Sequence, residues 1–541
     1  MTARRLAAAF VVIGALWTPD LKVGPTSFDR GTSFDRGTSF DRGTSFDRGT
    51  SFDRATSFDR GTSFDRGTSF DRRPELQLGQ VLSAQTADRT TAPRPGPAPA
   101  LKLPAVVKRQ LPNGLSIWIV ELHEVPVVQA NLIVRTGTAH DPAGKFGVAS
   151  LTAAMLTEGA GARSSLEIAD AIDFLGASLS AAAGIDASSI RLSVPVARLA
   201  DALPIMADVA IRPTFPPEEL ERQRQQRLTS LLQARDDPAT IASLAFSRAL
   251  YGPRHRFGTA TMGTAESIKG FTPEDLKGFY QSRFRPENST LVVVGDVTSG
   301  GVLPQLQTAF GSWKAEGSAA AAASLPAAQP PARRQVYLVD KPGTPQAQIR
   351  IGTIGTARST PDYFPIQVVN TILGGSFTSR LNQNLREKHG YTYGASSGFD
   401  MRVEPGPFSA QAGVQIDKTR EALTEFFNEL NGILKPVPAA ELERAKNYVT
   451  LRFPGTFETT GDIARRLEDS IVYNLPDDYF ENYVRNIDAV SAADVQRVAG
   501  KYIQPDRLAV VIVGDRKVTE PAARALDLGP VNILTLDEIF R

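Results

Sequence analysis

The 541-residue chain has no cysteine and only four histidines, His123, His140, His255 and His389. Without cysteine there are no disulfides, thiolate metal sites, iron–sulfur clusters or cysteine nucleophiles. No two of the histidines lie close enough in sequence to form a local ligand pair. A histidine-rich metal site carried by this chain alone is therefore not expected. An excess of one charge is missing too, since 60 Lys and Arg face 58 Asp and Glu. Nucleic-acid binders and polybasic membrane binders need a single-sign field, so neither class is expected. What is present is 42% hydrophobic residues, in a chain long enough, at roughly 150 residues per domain, for about two to four domains with sizeable cores.

The amino-terminal quarter does not read as fold. Met-Thr-Ala-Arg-Arg followed by the apolar run Leu6 to Trp17 has the pattern of a secretory signal, too short to span a bilayer. Residues 1–25 are assigned to that signal region, although no clean A-x-A cleavage sequence follows. The expected location is therefore outside the cytoplasm, in the periplasm, with membrane contact only through an uncleaved signal. From Thr26 to Arg72 the hexapeptide Thr-Ser-Phe-Asp-Arg-Gly occurs eight times, with Ala55 and Arg73 replacing Gly at two unit ends. A period of six matches no helical stripe, and a glycine in nearly every unit weakens a strand. The segment 26–72 reads as a flexible spacer or recent expansion. Residues 73–104, rich in proline and alanine, read as a linker.

A second linker, 316–333, divides the rest into two similar blocks, 105–315 and 334–530. Gly137-Thr138 and Phe146 recur as Gly355-Thr356 and Phe364, offset by 218. Glu219-Leu-Glu-Arg222 recurs as Glu441-Leu-Glu-Arg444, and Val292-Val-Val-Gly-Asp296 as Val511-Ile-Val-Gly-Asp515. Matches in one order at nearly constant offset indicate an internal duplication. Asn113-Gly114 between two apolar runs predicts a hairpin, and Val127–Arg135 a further strand. Helices are expected over 146–156, 165–175, 196–210 and 217–234. Thr272 and Ser491 are expected as N-caps. This mixture of hairpins and helices predicts an α+β fold with mainly antiparallel sheets packed against helices.

The two blocks resemble the insulinase/pitrilysin-type zinc metallopeptidases, especially the two-domain subunits similar to mitochondrial processing peptidase. The residues that carry the resemblance are Leu111-Pro-Asn-Gly114, the Gly-Thr before a helix, Glu441-Leu-Glu-Arg-Ala-Lys446, and Gly374-Gly-Ser-Phe-Thr-Ser-Arg-Leu381 leading to Leu385-Arg-Glu-Lys388. It implies two homologous domains forming one half of a clamshell around a peptide chamber. Active members carry H-x-x-E-H on the first-half helix, where positions i, i+3 and i+4 share a face, bind zinc and supply a base. Here Ser150, Ala153 and Ala154 occupy those positions. By resemblance, and anchoring on Asp236-Asp-Pro238, Ser230 stands at the position of the third ligand, a glutamate in active members, and Gln223 at the acidic position seven residues earlier. His140 with Asp141 or Glu158 offers only scattered groups. No zinc is expected on this chain.

The second half is different. Active members use an arginine and, seven residues later, a tyrosine. Arg386 and Tyr393 have that spacing, with Tyr391 as the competing candidate. By resemblance, the tyrosine donates to the oxyanion and the arginine fixes the substrate carbonyl. Gly374 and Gly375 belong either to a loop opening the site to substrate or to a packing turn. The implied function is the non-catalytic subunit of a heterodimeric, exported zinc metalloendopeptidase. Its partner would be a homologous chain bearing H-x-x-E-H and the zinc, and peptide would add as an edge strand. The alternative is an inert scaffold or peptide-binding member of the family. A stand-alone serine peptidase finds no support, since Ser150 has no histidine or lysine at helical spacing.

Overall fold

The computed structural model describes residues 96, 103–320 and 325–541. The signal region, the hexapeptide repeat, nearly all of the first linker and positions 321–324 of the second lie outside the described residues.

The first half opens with β1 (Val107–Gln110) and β2 (Ser116–Glu121), an antiparallel hairpin. Its turn contains Gly114 at φ +92°, a conformation that favours glycine. Asn113 locks the turn to the rest of the half, donating to the carbonyls of Phe310 (2.8 Å) and Trp313 (3.0 Å). Then come β3 (Val127–Val134), β4 (Ser178–Ala183), β5 (Ser188–Pro195) and β6 (Ser289–Gly295). The sheet order is β1-β2-β6-β3-β5-β4, and only the β2/β6 pair is parallel. The helices used below are α1 (Val148–Met155), α2 (Pro217–Ala234), α3 (Pro238–Tyr251) and α4 (Pro273–Arg283). The segment expected as a helix over 196–210 begins with a 3-10 turn at Val196–Arg198 and becomes α-helical at Leu199–Ile211.

The second half repeats the plan. Its strands are β7 (Gln335–Asp340), β8 (Gln346–Ile354), β9 (Thr392–Phe399), β10 (Pro407–Gln415), β11 (Ala509–Gly514) and β12 (Val531–Leu534). They lie in the order β9-β10-β8-β11-β7-β12, with β11/β7 and β7/β12 parallel. The sheet therefore takes in residues beyond the boundary at 530 expected from the duplication. Helices α5 (Tyr363–Leu373), α6 (Thr460–Tyr473) and α7 (Ala492–Tyr502) are used below. The fold is α+β, with two homologous sheet-and-helix domains.

Each sheet buries one face against helices of its own half. On the first sheet that face carries Ile117, Ile119, Val128, Ala130 and Leu132. The opposite faces are covered by exchange between halves. Val120, Ile133, Val292 and Val294 of the first sheet pack against Ile463, Ala464, Leu467 and Ile471 of α6, which belongs to the second half. In return, Ile241, Ala242, Ala245 and Phe246 of α3 share a core with Val339, Val511 and Val513 of the second sheet. Gly352 on β8 permits this approach, because a Cβ there would lie 2.8 Å from the Phe246 ring.

Candidate functional site

Helix α1 starts where Gly147 takes φ +100°. The buried carboxylate of Asp141 accepts from the N–H groups of Gly147 (2.6 Å) and Ala149 (2.9 Å), satisfying donors that a helix N-terminus leaves free. Arg256, equally buried, donates to the same carboxylate at 2.7 Å. Burial pushes the Asp141 carboxyl above its ordinary value, while the charge of Arg256 and the helix amides pull it back. Asp141, set aside by sequence as one of several scattered groups, is thus committed to holding the helix.

On α1, Ala153 is fully buried, while Ser150 and Ala154 are half-buried. The facing helix α2 presents Gln223, Arg227 and Ser230 one turn apart. Arg227 reaches across and donates to the Ser150 hydroxyl and to its carbonyl oxygen, both at 3.0 Å. Burial pulls the Arg227 guanidinium down to about 10. Gln223 is held by Glu158 at 2.7 Å, and Glu158 also pairs with Arg222 at 2.5 Å. Ser230 donates back to its own helix, to the Gln226 carbonyl. His140 accepts from the Gly137 N–H at 3.3 Å, and burial lowers its pKa. These residues do not fit zinc: two methyl groups, two engaged hydroxyls and a guanidinium replace the donors a metal requires. Among the described residues no three His, Asp or Glu side chains are grouped to hold a metal.

In the second half, α5 ends at Gly374 and Gly375. A Cβ on Gly374 would lie 2.3 Å from the Ser397 nitrogen of β9, and one on Gly375 would lie 2.7 Å from the Asn370 side-chain nitrogen. That close approach accounts for both glycines as a packed turn. The chain then passes through Gln383–Lys388, a π-helical turn of the kind that re-aims side chains. Gly390 follows at φ +65°, and the β9/β10 register shifts between Thr392 and Ala395. Such a bulge changes where a strand side chain points. Tyr393 sits in this bulge and is 88% exposed. Tyr391 is instead half-buried and stacked on His389 at 5.0 Å. Arg386 lies over the half-exposed ring of Phe377, 4.6 Å from its centroid, with Glu387 3.4 Å from its Nε. No hydrogen bond joins Arg386 to Tyr393 among the described residues.

Two residues here escaped the sequence reading. Arg227 lies four residues after Gln223 and three before Ser230, so helical spacing alone places it on the face turned to α1. Phe377 lies inside the glycine-flanked stretch, but its partnership with Arg386 has no sequence signal.

Two family models match. One, described as insulinase (peptidase family M16), covers residues 117–262, and the other, described as the peptidase M16 inactive domain, covers 270–449. The chain belongs to the insulinase family. An uncharacterized zinc protease of Mycobacterium bovis is 24% identical over 423 residues, which is 78% of this chain and 96% of that protein. One from Bacillus subtilis is 25% identical over 339 residues, 62% of this chain and 81% of that protein. Among solved structures, a peptidase M16 inactive domain from Pseudomonas fluorescens superposes with TM-score 0.69 at 28% identity. It covers 76% of this chain and 98% of its own. A protease from Helicobacter pylori gives TM-score 0.71 at 21% identity, covering 76% of this chain and all of its own.

Proposed function

We propose that this chain is the non-catalytic subunit of an exported, periplasmic zinc metalloendopeptidase. A homologous partner would carry the H-x-x-E-H motif and the zinc, and this chain would supply Arg386 and Tyr393 to that site. The observation that carries the reading is the contrast between the halves. The first-half positions Ser150, Ala153, Ala154 and Ser230 carry no imidazole or carboxylate, and Arg227 closes on Ser150. The second half holds a tyrosine almost wholly in solvent, on the bulge between Thr392 and Ala395.

An exposed tyrosine and, on the turn that leads to its strand, an arginine capping an exposed phenylalanine suit a surface completed by another chain. The edge strands β4 and β9 have unpaired backbone on one side among the described residues, the requirement for adding a peptide as a further strand. Zinc in the partner would polarise the scissile carbonyl. Tyr393 would donate its O–H to the developing oxyanion, and Arg386 would hold the neighbouring carbonyl.

The test is affinity purification of the tagged chain from its native host, followed by a chelator-sensitive peptide hydrolysis assay. Tyr393→Phe is expected to lower kcat by roughly 100-fold, the usual loss of one oxyanion donor, with the complex intact. A chain that purifies alone and inert would overturn this function in favour of the scaffold or peptide-binding reading.

A further inference from the structure

On the face of each sheet turned to the exchanged helix, one of the polar rows carries an arginine. In the first sheet it is Ser180, Arg191 and Asn131, paired in register on β4, β5 and β3. In the second it is Ser396, Gln411 and Arg350, on β9, β10 and β8. Each row has one arginine and one amide, in exchanged order.

The two rows differ in how the arginine is neutralised. Arg191 donates to both carboxylate oxygens of Glu468 on α6, at 2.9 and 3.2 Å. Helices α3 and α6 are each fourteen residues long and start at Pro238 and Thr460. By that alignment, Phe246 of α3 stands where Glu468 stands in α6. Arg350 thus has no acid from the exchanged helix, and it makes no hydrogen bond or ion pair among the described residues. Burial alone lowers its pKa, with no carboxylate pulling the other way. Beside it, the Gln411 Oε1 is buried without a donor. A half-buried guanidinium and an orphan carbonyl oxygen on neighbouring strands are both costly unless something supplies their partners.

We propose that Arg350 and Gln411 form a binding site for a carboxylate-bearing peptide lying along the β9 side of the second sheet. The ligand carboxylate accepts from the Arg350 fork, and a peptide N–H donates to Gln411 Oε1 once the Gln411 amide, held only by a 3.4 Å contact to Ser396, turns outward. An anion without a proton to donate, such as sulfate, meets only the first need, whereas a peptide meets both. This deepens the peptide-binding part of the function proposed above and is independent of the Arg386 and Tyr393 contribution.

The test uses the full chain alone and three fluorescein-labelled alanine octapeptides, read by fluorescence anisotropy. One has a central glutamate and an amidated end, the second a central glutamine and a free C-terminal carboxylate, and the third a central glutamine and an amidated end. At least one carboxylate peptide is expected to bind about tenfold more tightly than the neutral one. Which of the two does so identifies the carboxylate as side-chain or terminal. Arg350→Gln and Arg350→Met, each checked by circular dichroism, are expected to abolish the preference, and Arg350→Lys to keep part of it. Equal affinities, no binding by any peptide, or a preference that survives loss of the arginine would overturn the site. No partner and no hydrolysis enter the measurement, so its failure is distinct from failure of the heterodimer.

Discussion

At the scale of single residues, the helix of the first-half site is anchored by charge. Asp141 and Arg256 face one another in the interior, with side chains 0% and 2% exposed. Removing one partner leaves the other charge buried and unpaired, a loss of about 3–5 kcal/mol. Arg256→Ala is therefore expected to lower unfolding free energy by that amount in urea titration, and a value under about 1 kcal/mol would contradict the buried pair. Tyr393 is the opposite case. Its side chain is in solvent, so Tyr393→Phe is expected to leave the urea midpoint unchanged, within about 0.5 kcal/mol. Stability and proposed function thus depend on different residues, and the two readouts separate them.

At the scale of elements, much of the fold was legible because its signals are local. Thr272 and Ser491 read as N-caps, and each side chain accepts from the N–H three residues on, closing a capping box with Asp275 or Asp494. Thr272→Ala is expected to cost about 1 kcal/mol, measured by chemical denaturation. The Asn113-Gly114 turn and the helix Pro217–Ala234 were equally visible, from turn chemistry in one case and from a Pro-and-acid start in the other. Contacts between elements were not legible. Asp362, just before α5, is fixed by Arg497, Lys501 and Tyr502 of α7, at 2.7–2.8 Å. Burial works to raise its pKa, but those three hydrogen bonds outweigh it and hold the carboxyl at about 2. Since the unfolded value is about 3.9, the stabilisation is present above about pH 4 and is lost as pH falls through about 2. Asp362→Asn is expected to cost roughly 1–2 kcal/mol at pH 7, both cations being half exposed. The gap from the wild type should close in urea titrations towards pH 2; a gap that stays constant would refute the assignment.

At the scale of the molecule, the duplication explains the two sheets but not how they are joined. The apolar stripe Ile463, Ala464, Leu467 and Ile471 says that α6 buries one face. Nothing in that stripe says that the sheet beneath it belongs to the other half. The exchange makes each half incomplete alone: without α6, Val120, Val292 and Val294 of the first sheet lose their cover, and without α3 the second sheet loses its cover at Val511 and Val513. A two-domain chain with a small polar interface would unfold in steps. Here the two halves are expected to melt in a single calorimetric transition, because neither sheet can keep both faces buried once its neighbour opens. Leu467→Ala, on a helix of the second half, should cost about 2–5 kcal/mol. It should also lower the protection of amides on β6, in the first half, against hydrogen exchange. Two separate transitions, or a loss of protection confined to the second half, would show that the halves are independent domains merely touching.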